Sequence, residues 1–466
     1  MGRKRVTGLQ RQLRPQPIDR RSIVCLRRTL LICVASALAA LATGGAAGAV
    51  ASPILILEPS GRVTLRDDPL IPPADRSELP PSLGRSVGAT MAAAPKAETA
   101  SSSDLAAAVA RLADSGAIDA ATSSTYRSAI SSAKSAARRL SGRRRSELRA
   151  VIANFNRMSR GGLVTASRLA PMIETLKRNV QWWTSGSLLS YGQRVGFKGS
   201  EIVWQSYPGQ GLQIQWLGTF GHMNALWTVK SQARELGDLA DEVDRLSVKR
   251  AGGVAWEYLF QFGGGRPPWV SGLSQGTAVQ ALARASERLD RPHLLNVARD
   301  GLGVFRTRPP SGVRLKTAHG YYYAAYSYAP GQRIYNAFYQ SLIGLHDLSA
   351  ISGDKISRGL WLAGQREGRY ELPHSDTGSW SYYQPGELSP MNYHIVLRDF
   401  IRGLCDRMTA DRQRETIKLR ARKGPAAVLG DFKSWPDGGP YCVMTTRFSK
   451  YLYKRVGTSP PSPAPR

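Results

Sequence analysis

The sequence predicts a mainly α fold, an (α/α) toroid-like repeat of helix pairs with short β segments in the aromatic loops, on three observations. Amphipathic stretches recur in pairs about every 55 to 60 residues. Turn residues such as Gly353-Asp354 separate the two members of a pair. Segments rich in Gly, Pro, Tyr and Trp separate one pair from the next. Such a pair cannot bury its apolar face alone, so it stacks on its neighbours. An open solenoid would leave the same sequence signal.

Residues 1–51 read as a signal peptide or membrane anchor: nine Lys or Arg and a single Asp up to Arg28, then an uncharged stretch from Thr29 to Ala51 ending in Ala49-Val50-Ala51. Arg20-Arg21 also faintly resembles a twin-arginine signal. Residues 52–103, rich in Pro, Ser and Ala, read as a disordered linker. Residues 104–180 form an N-terminal helical region, and residues 181–456 form the repeat domain. Within the latter, helix pairs are expected from His222 to Arg250, from Gly276 through Pro292 to Val304, from Asn336 to Ser352 with Lys355 to Arg366, and from Tyr393 to Met408 with Arg412 to Lys423. Asp431 to Arg455 reads as turn and strand closing the body, and residues 457–466 as a disordered tail.

The chain has 466 residues and a formal net charge of +30, of which the basic leader carries +8. The remaining surplus favours a polyanionic partner. No zinc-finger spacing, RNP-like strand or basic zipper accompanies it, which argues against nucleic acid. The densest cluster, Arg138-Arg139 with Arg143-Arg144-Arg145, reads as a solvated helix face. Cys405 and Cys442 are the two cysteines beyond the leader, and they form either one disulfide or two free thiols. No Cys/His spacing suits a metal, and no P-loop or dinucleotide fingerprint implies a cofactor.

Chemistry is expected in three segments: Tyr207 to Trp227, Arg266 to Gly276, and Tyr321 to Tyr393, the last holding eleven of the eighteen tyrosines. Aromatic side chains in loops suit sugars, whose rings present apolar faces, while amides and arginines bond hydroxyls and carboxylates. Singly, such tyrosines more often bridge core and surface.

Together, Pro268-Trp269-Val270-Ser271-Gly272-Leu273-Ser274-Gln275-Gly276, Tyr335-Asn336-Ala337-Phe338-Tyr339-Gln340-Ser341-Leu342-Ile343-Gly344-Leu345-His346-Asp347-Leu348, Leu372-Pro373 with Asp376-Thr377-Gly378-Ser379, and Tyr393-His394 resemble the C-terminal catalytic region of the D-glucuronyl C5-epimerase family, in the family's order. The resemblance implies inversion at C5 of a uronate unit. A proton leaves the carbon beside the carboxylate on one face and another returns on the opposite face, so two acid/base groups flank the ring and a cation neutralises the carboxylate. It implies Tyr328, Tyr383 and Tyr393 as catalytic residues, with Tyr326 and Tyr382 as neighbouring alternatives. Tyr207, Arg266, Gln275, Arg333, Asn336, Tyr382 and His394 would bind substrate, with Arg333, Arg266 or His394 on the carboxylate. Neighbouring positive charge is expected to lower the tyrosine pKa toward a usable base. Departures from the animal pattern are Ser327 in place of an acidic residue, Leu397 in place of a histidine, Gln384-Pro385-Gly386 in place of a charged stretch, and the loss of a β-rich N-terminal region.

The expected partner is an anionic uronate-containing polysaccharide, with no cofactor, no nucleic acid, an exported location and room for a homodimer. A polysaccharide lyase shares the first proton abstraction, and a noncatalytic glycan-binding envelope protein shares the aromatic cleft and charge. Both remain alternatives.

Overall fold

The computed structural model describes residues 54–66, 104–431 and 433–457. The leader reading, most of the linker and the tail lie outside the described residues. Among the described residues no helix is long and apolar enough to cross a membrane.

Helices α1 (Leu105–Asp114), α2 (Ala120–Arg139), α3 (Gly142–Arg160) and α4 (Ala166–Ser185) make the N-terminal bundle. Asp104 and Asp119 start the first two by accepting from the amides of Ala107 and Thr122, satisfying donors that a helix leaves orphaned. Leu105, Val109, Ile130, Phe155, Leu169 and Ile173 share one core between them.

A five-stranded sheet follows, in the order β2-β1-β3-β4-β5. Its strands are β1 (Ile54–Leu57), β2 (Val63–Arg66), β3 (Arg194–Phe197), β4 (Ser200–Tyr207) and β5 (Gly211–Ile214). Two expectations are corrected here. Residues 54–66 are a hairpin whose first strand pairs in parallel with β3, not part of a tether. β-structure therefore precedes the repeat rather than being wholly replaced by helices.

The helix pairs are α5 (Trp216–Thr228) with α6 (Ala233–Arg245), α7 (Gly272–Leu289) with α8 (Pro292–Asp300) and the short α9 (Gly303–Arg306), and α10 (Tyr335–Ser352) with α11 (Lys355–His374). The fold is mainly α, as expected. α5 packs on α7, α7 on α10, and α10 on α12 (Met391–Lys423), so the first member of each pair lies inward and side by side. The fourth expected pair is corrected: 391–423 is one unbroken helix, and its partner is α13 (Gly439–Val456), where turn and strand were expected. Thr409-Ala410-Asp411 does not begin a new helix, because the Asp411 carboxylate is turned inward to His346 instead of capping. Pro440 sits in the first turn of α13, where its missing amide costs nothing.

α10 is buried on almost every side and is the hub of the core. A Cβ on Gly344 would meet the Gly276 carbonyl at 2.0 Å, so the backbones of α7 and α10 touch there and only glycine fits. The Cys405–Cys442 disulfide joins α12 to α13 and settles which of the two cysteine readings holds.

Short hairpins occupy the loops between pairs: β6 (Val248–Arg250) with β7 (Gly253–Ala255), β8 (Arg314–Lys316) with β9 (Tyr321–Tyr323), and β10 (Tyr382–Gln384) with β11 (Glu387–Leu388).

Candidate active site

Four tyrosines from three separate segments converge. Tyr326 and Tyr328 lie on the loop after β9, and between them Ser327 is fastened to Val270: its amide donates to the Val270 carbonyl at 2.9 Å, and its hydroxyl accepts from the Val270 amide at 3.1 Å. The chain turns here, the Ala329 amide donating to the Tyr326 carbonyl at 3.2 Å, and the rings of Tyr326 and Tyr328 stack at 5.4 Å. Tyr328 also meets the edge of Trp269, and Gly265 lies so close to it that a Cβ there would come within 2.3 Å of its ring. Tyr383, on the β10 hairpin, and Tyr393, in the first turn of α12, meet edge to face at 5.1 Å. Tyr383 shares a small apolar cluster with Ala325, Ile334 and Ala337, against which Tyr326 and Tyr393 pack. The expected catalytic trio and its fallback Tyr326 thus share one site.

Burial pushes every one of these phenols up: Tyr393 to about 12, and Tyr326, Tyr328 and Tyr383 further, with neighbouring phenols adding to the rise for Tyr326 and Tyr383. The expectation that adjacent cations lower them is corrected. At rest the site holds neutral phenols, suited to donating protons.

The other predicted residues divide. Asn336, in the first turn of α10, has a buried Oδ1 with no partner. Arg266 is exposed beside the Gly265 that packs on Tyr328. Tyr382 is half-buried on β10. Tyr207 is buried among Tyr191, Phe260 and Phe262, as the inner end of an aromatic row rather than an open lining. Three substrate-binding expectations are corrected. The Gln275 amide donates to the carbonyls of Val254 and Gly301, which ties α7 to its flanking loops. Arg333 is held by Glu367 and Glu371 and lies over the Tyr322 ring, so its charge is already met. His394 is sealed, stacked 3.7 Å from Trp380, with Nδ1 accepting from the Ser381 hydroxyl and Nε2 donating to the Phe448 carbonyl. Burial pushes it down to about 4, so it is neutral and structural.

Sequence reasoning missed Arg194. It sits in β3 with Nε toward the Gln205 side-chain oxygen and Nη1 buried and unpartnered, faces the phenols of Tyr207 and Tyr258, and meets no carboxylate among the described residues. Burial pulls its pKa down to about 10, leaving it charged at neutral pH. Tyr258 stacks on Trp269, whose edges meet Tyr326 and Tyr328, so this cation lies one aromatic layer from the tyrosines. The one sequence signal was an arginine opening the otherwise uncharged strand Arg194-Val195-Gly196-Phe197.

Residues 252–420 match the family described as D-glucuronyl C5-epimerase C-terminus. The similarity is to that family's C-terminal domain. A D-glucuronyl C5-epimerase from Caenorhabditis elegans is 32% identical over 151 residues, a match that covers 28% of this chain and 24% of the relative. All four tyrosines of the site fall inside the epimerase-like stretch, whereas Arg194 and Tyr207 precede it.

Proposed function

We propose that this protein inverts C5 of D-glucuronate, or another hexuronate, within an anionic polysaccharide. The observation that carries the reading is the convergence of Tyr326, Tyr328, Tyr383 and Tyr393 from three segments, in a region matching the epimerase C-terminal domain. Tyr328 and Tyr393 come from opposite pairs within that group, and they are assigned as the two proton-transferring residues, one for each face of the sugar. Tyr383 positions Tyr393 by edge contact, and Tyr326 positions Tyr328 by stacking.

A neutral phenol is the proton donor that the return step needs. The abstraction step needs a phenolate, which forms only where positive charge or a hydrogen-bond donor meets it. Arg266 at the rim is the cation available to neutralise the uronate carboxylate, and Arg194, one aromatic layer away beneath Tyr207 and Tyr258, adds positive potential from behind. Asn336 supplies an unused acceptor for a sugar hydroxyl. The Cys405–Cys442 disulfide supports an oxidising compartment, in keeping with export.

The test is incubation of the protein with heparosan-type and other polyuronates in deuterated water. Deuterium at C5 with inverted configuration and no new double-bond absorbance is the expected result. Rising absorbance makes the protein a lyase, and binding with neither signal makes it a glycan-binding protein.

A further inference from the structure

The N-terminal bundle carries more positive charge than its ion pairs consume: Lys134 pairs with Asp104, Arg168 with Glu257 and Arg178 with Glu174, and a surplus is left over. Between Ala120 and Ser185 stand thirteen Lys or Arg against Glu147 and Glu174. Both acids are committed: Glu147 accepts from the amides of Gly209 and Gly211, and Glu174 pairs with Arg178. Cations at the end of α2, Arg138 and Arg139, suit a helix C-terminus. Arg143, Arg144 and Arg145 do the opposite. They stand in the first turn of α3, which has no acidic residue and no side-chain cap from Ser141, and there the helix dipole disfavours positive charge. Their hydrogen bonds go to the backbone carbonyls of Leu189, Trp183 and Leu140; Arg143 also pairs with Glu147 at 3.7 Å, so the surplus at this helix start is carried by Arg144 and Arg145.

A second, independent feature adjoins this cluster. Between α2 and α4 lies an open groove of about 560 Å³, with Ala129 and Val180 on its floor and Ser124, Thr125, Ser128, Ser132, Lys177 and Gln181 around them. Hydroxyls, an amide and a lone ammonium are the groups that bond sugar hydroxyls and acidic substituents. The groove runs into the arginines. Ser128, Ser132, Ser135 and Arg139 fall on one helical stripe, and Arg138 donates to the Ser135 hydroxyl at 2.8 Å. The bundle is also fastened to the catalytic body. Glu147 holds the β4–β5 turn next to Tyr207, Asn154 donates to the Leu259 carbonyl, and Asn179 donates to the Leu212 carbonyl.

We propose that the groove between α2 and α4, with the arginines at its end, is a second docking surface for an anionic polysaccharide, outside the tyrosine site. The choice of polymer rests on the function proposed above; the charge and the groove do not. Nucleic acid and anionic membrane would use the charge but not a groove that offers an apolar floor for a sugar ring with hydroxyls at its edge.

The experiment compares the full chain with its Arg138→Gln/Arg139→Gln/Lys177→Gln variant, measuring affinity for long heparosan, for a heparosan tetrasaccharide, for duplex DNA and for phosphatidylglycerol vesicles across a salt series. The expected result is about tenfold or greater weakening for the long polymer with a shallower salt dependence, and unchanged tetrasaccharide affinity and turnover. Unchanged affinity for the long polymer overturns the proposal, as does tighter binding of DNA or vesicles that is lost in the same variant. Lysine acylation of the unmutated chain is a second readout: long heparosan should protect Lys177, and labelling unaffected by saturating polymer overturns the proposal even if the variant misfolds. A failed catalytic reading would appear as turnover indifferent to Tyr393→Phe, which leaves these binding results untouched.

Discussion

The two ends of α10 present a contrast. At its N-terminal end, Asn336 has a buried oxygen with no partner, and its chain neighbours Ile334 and Ala337 pack with Tyr383. Two to three turns on, His346 and Asp347 are satisfied on every side. The imidazole is shared between Asp347 at 3.0 Å and Asp411 at 2.9 Å, and the Asp347 carboxylate is clamped by Arg284 and Arg407. Burial opposes every charge in that network. The arginines nonetheless hold Asp347 well below the usual carboxylate range, and the carboxylates raise His346. A buried polar group with all its partners holds structure together, whereas one without them is waiting for something. The same contrast separates His394, fully bonded, from Arg194, which keeps a sealed nitrogen unused.

The contrast breaks if the two ends respond alike to mutation. The largest expected effect is at the tyrosines. Tyr328→Phe or Tyr393→Phe should each lower epimerisation by about 10²–10⁴-fold, as loss of a general acid or base does, while urea unfolding stays unchanged. Next is Asp347→Ala, which strands Arg284 and Arg407 without a counter-ion. It should cost about 3–5 kcal/mol of stability by urea denaturation, and the protein that remains folded should keep its tyrosine geometry.

A third effect comes from the histidines, whose signs oppose. His394 has a folded pKa near 4, below its ordinary 6.5, so the unfolded chain binds the proton more readily. Its contribution is present above about pH 6.5 and is lost as pH falls toward 4, by up to about 3 kcal/mol. His346 is raised instead, so its contribution is present at low pH and fades as pH rises through its folded value. Unfolding between pH 4 and 6.5 should therefore be less acid-sensitive in His394→Gln than in the unmutated chain.

The smallest effect sharpens the division among predicted binding residues. Arg266→Ala should raise KM about tenfold, roughly 1.4 kcal/mol, without altering stability. Gln275→Ala should leave KM alone and cost about 1–3 kcal/mol of stability, because it takes the side-chain donor from a buried carbonyl, Gly301, and a half-buried one, Val254.

The helix pairs were legible because their faces repeat at a helical period, and so was the gathering of Tyr328, Tyr383 and Tyr393. What the motif residues do was not. Gln275, Gly276, Gly344, His346 and Asp347 stand in the most family-like segments, yet they build the core, because spacing reveals a shared helix face but not what that face touches. Arg333 carries a free charge on paper, and only the fold brings Glu367 and Glu371 to it. The hairpin at Ile54 was hidden in Pro-rich surroundings, since two four-residue strands are too short to show a period. Arg194 escaped because a lone arginine in a strand has no signature until its surroundings are known.

The central claim is that Tyr328 and Tyr393 serve opposite faces of one sugar. The direct measurement is C5 hydrogen exchange in deuterated water, with configuration at C5 read by NMR on the same product, for the unmutated chain and for Tyr328→Phe and Tyr393→Phe. Each variant should lose inversion, and at least one should still exchange C5 hydrogen with configuration retained, from the face whose tyrosine survives. Exchange and inversion falling in strict proportion in both variants, or unaffected in both, would contradict the assignment.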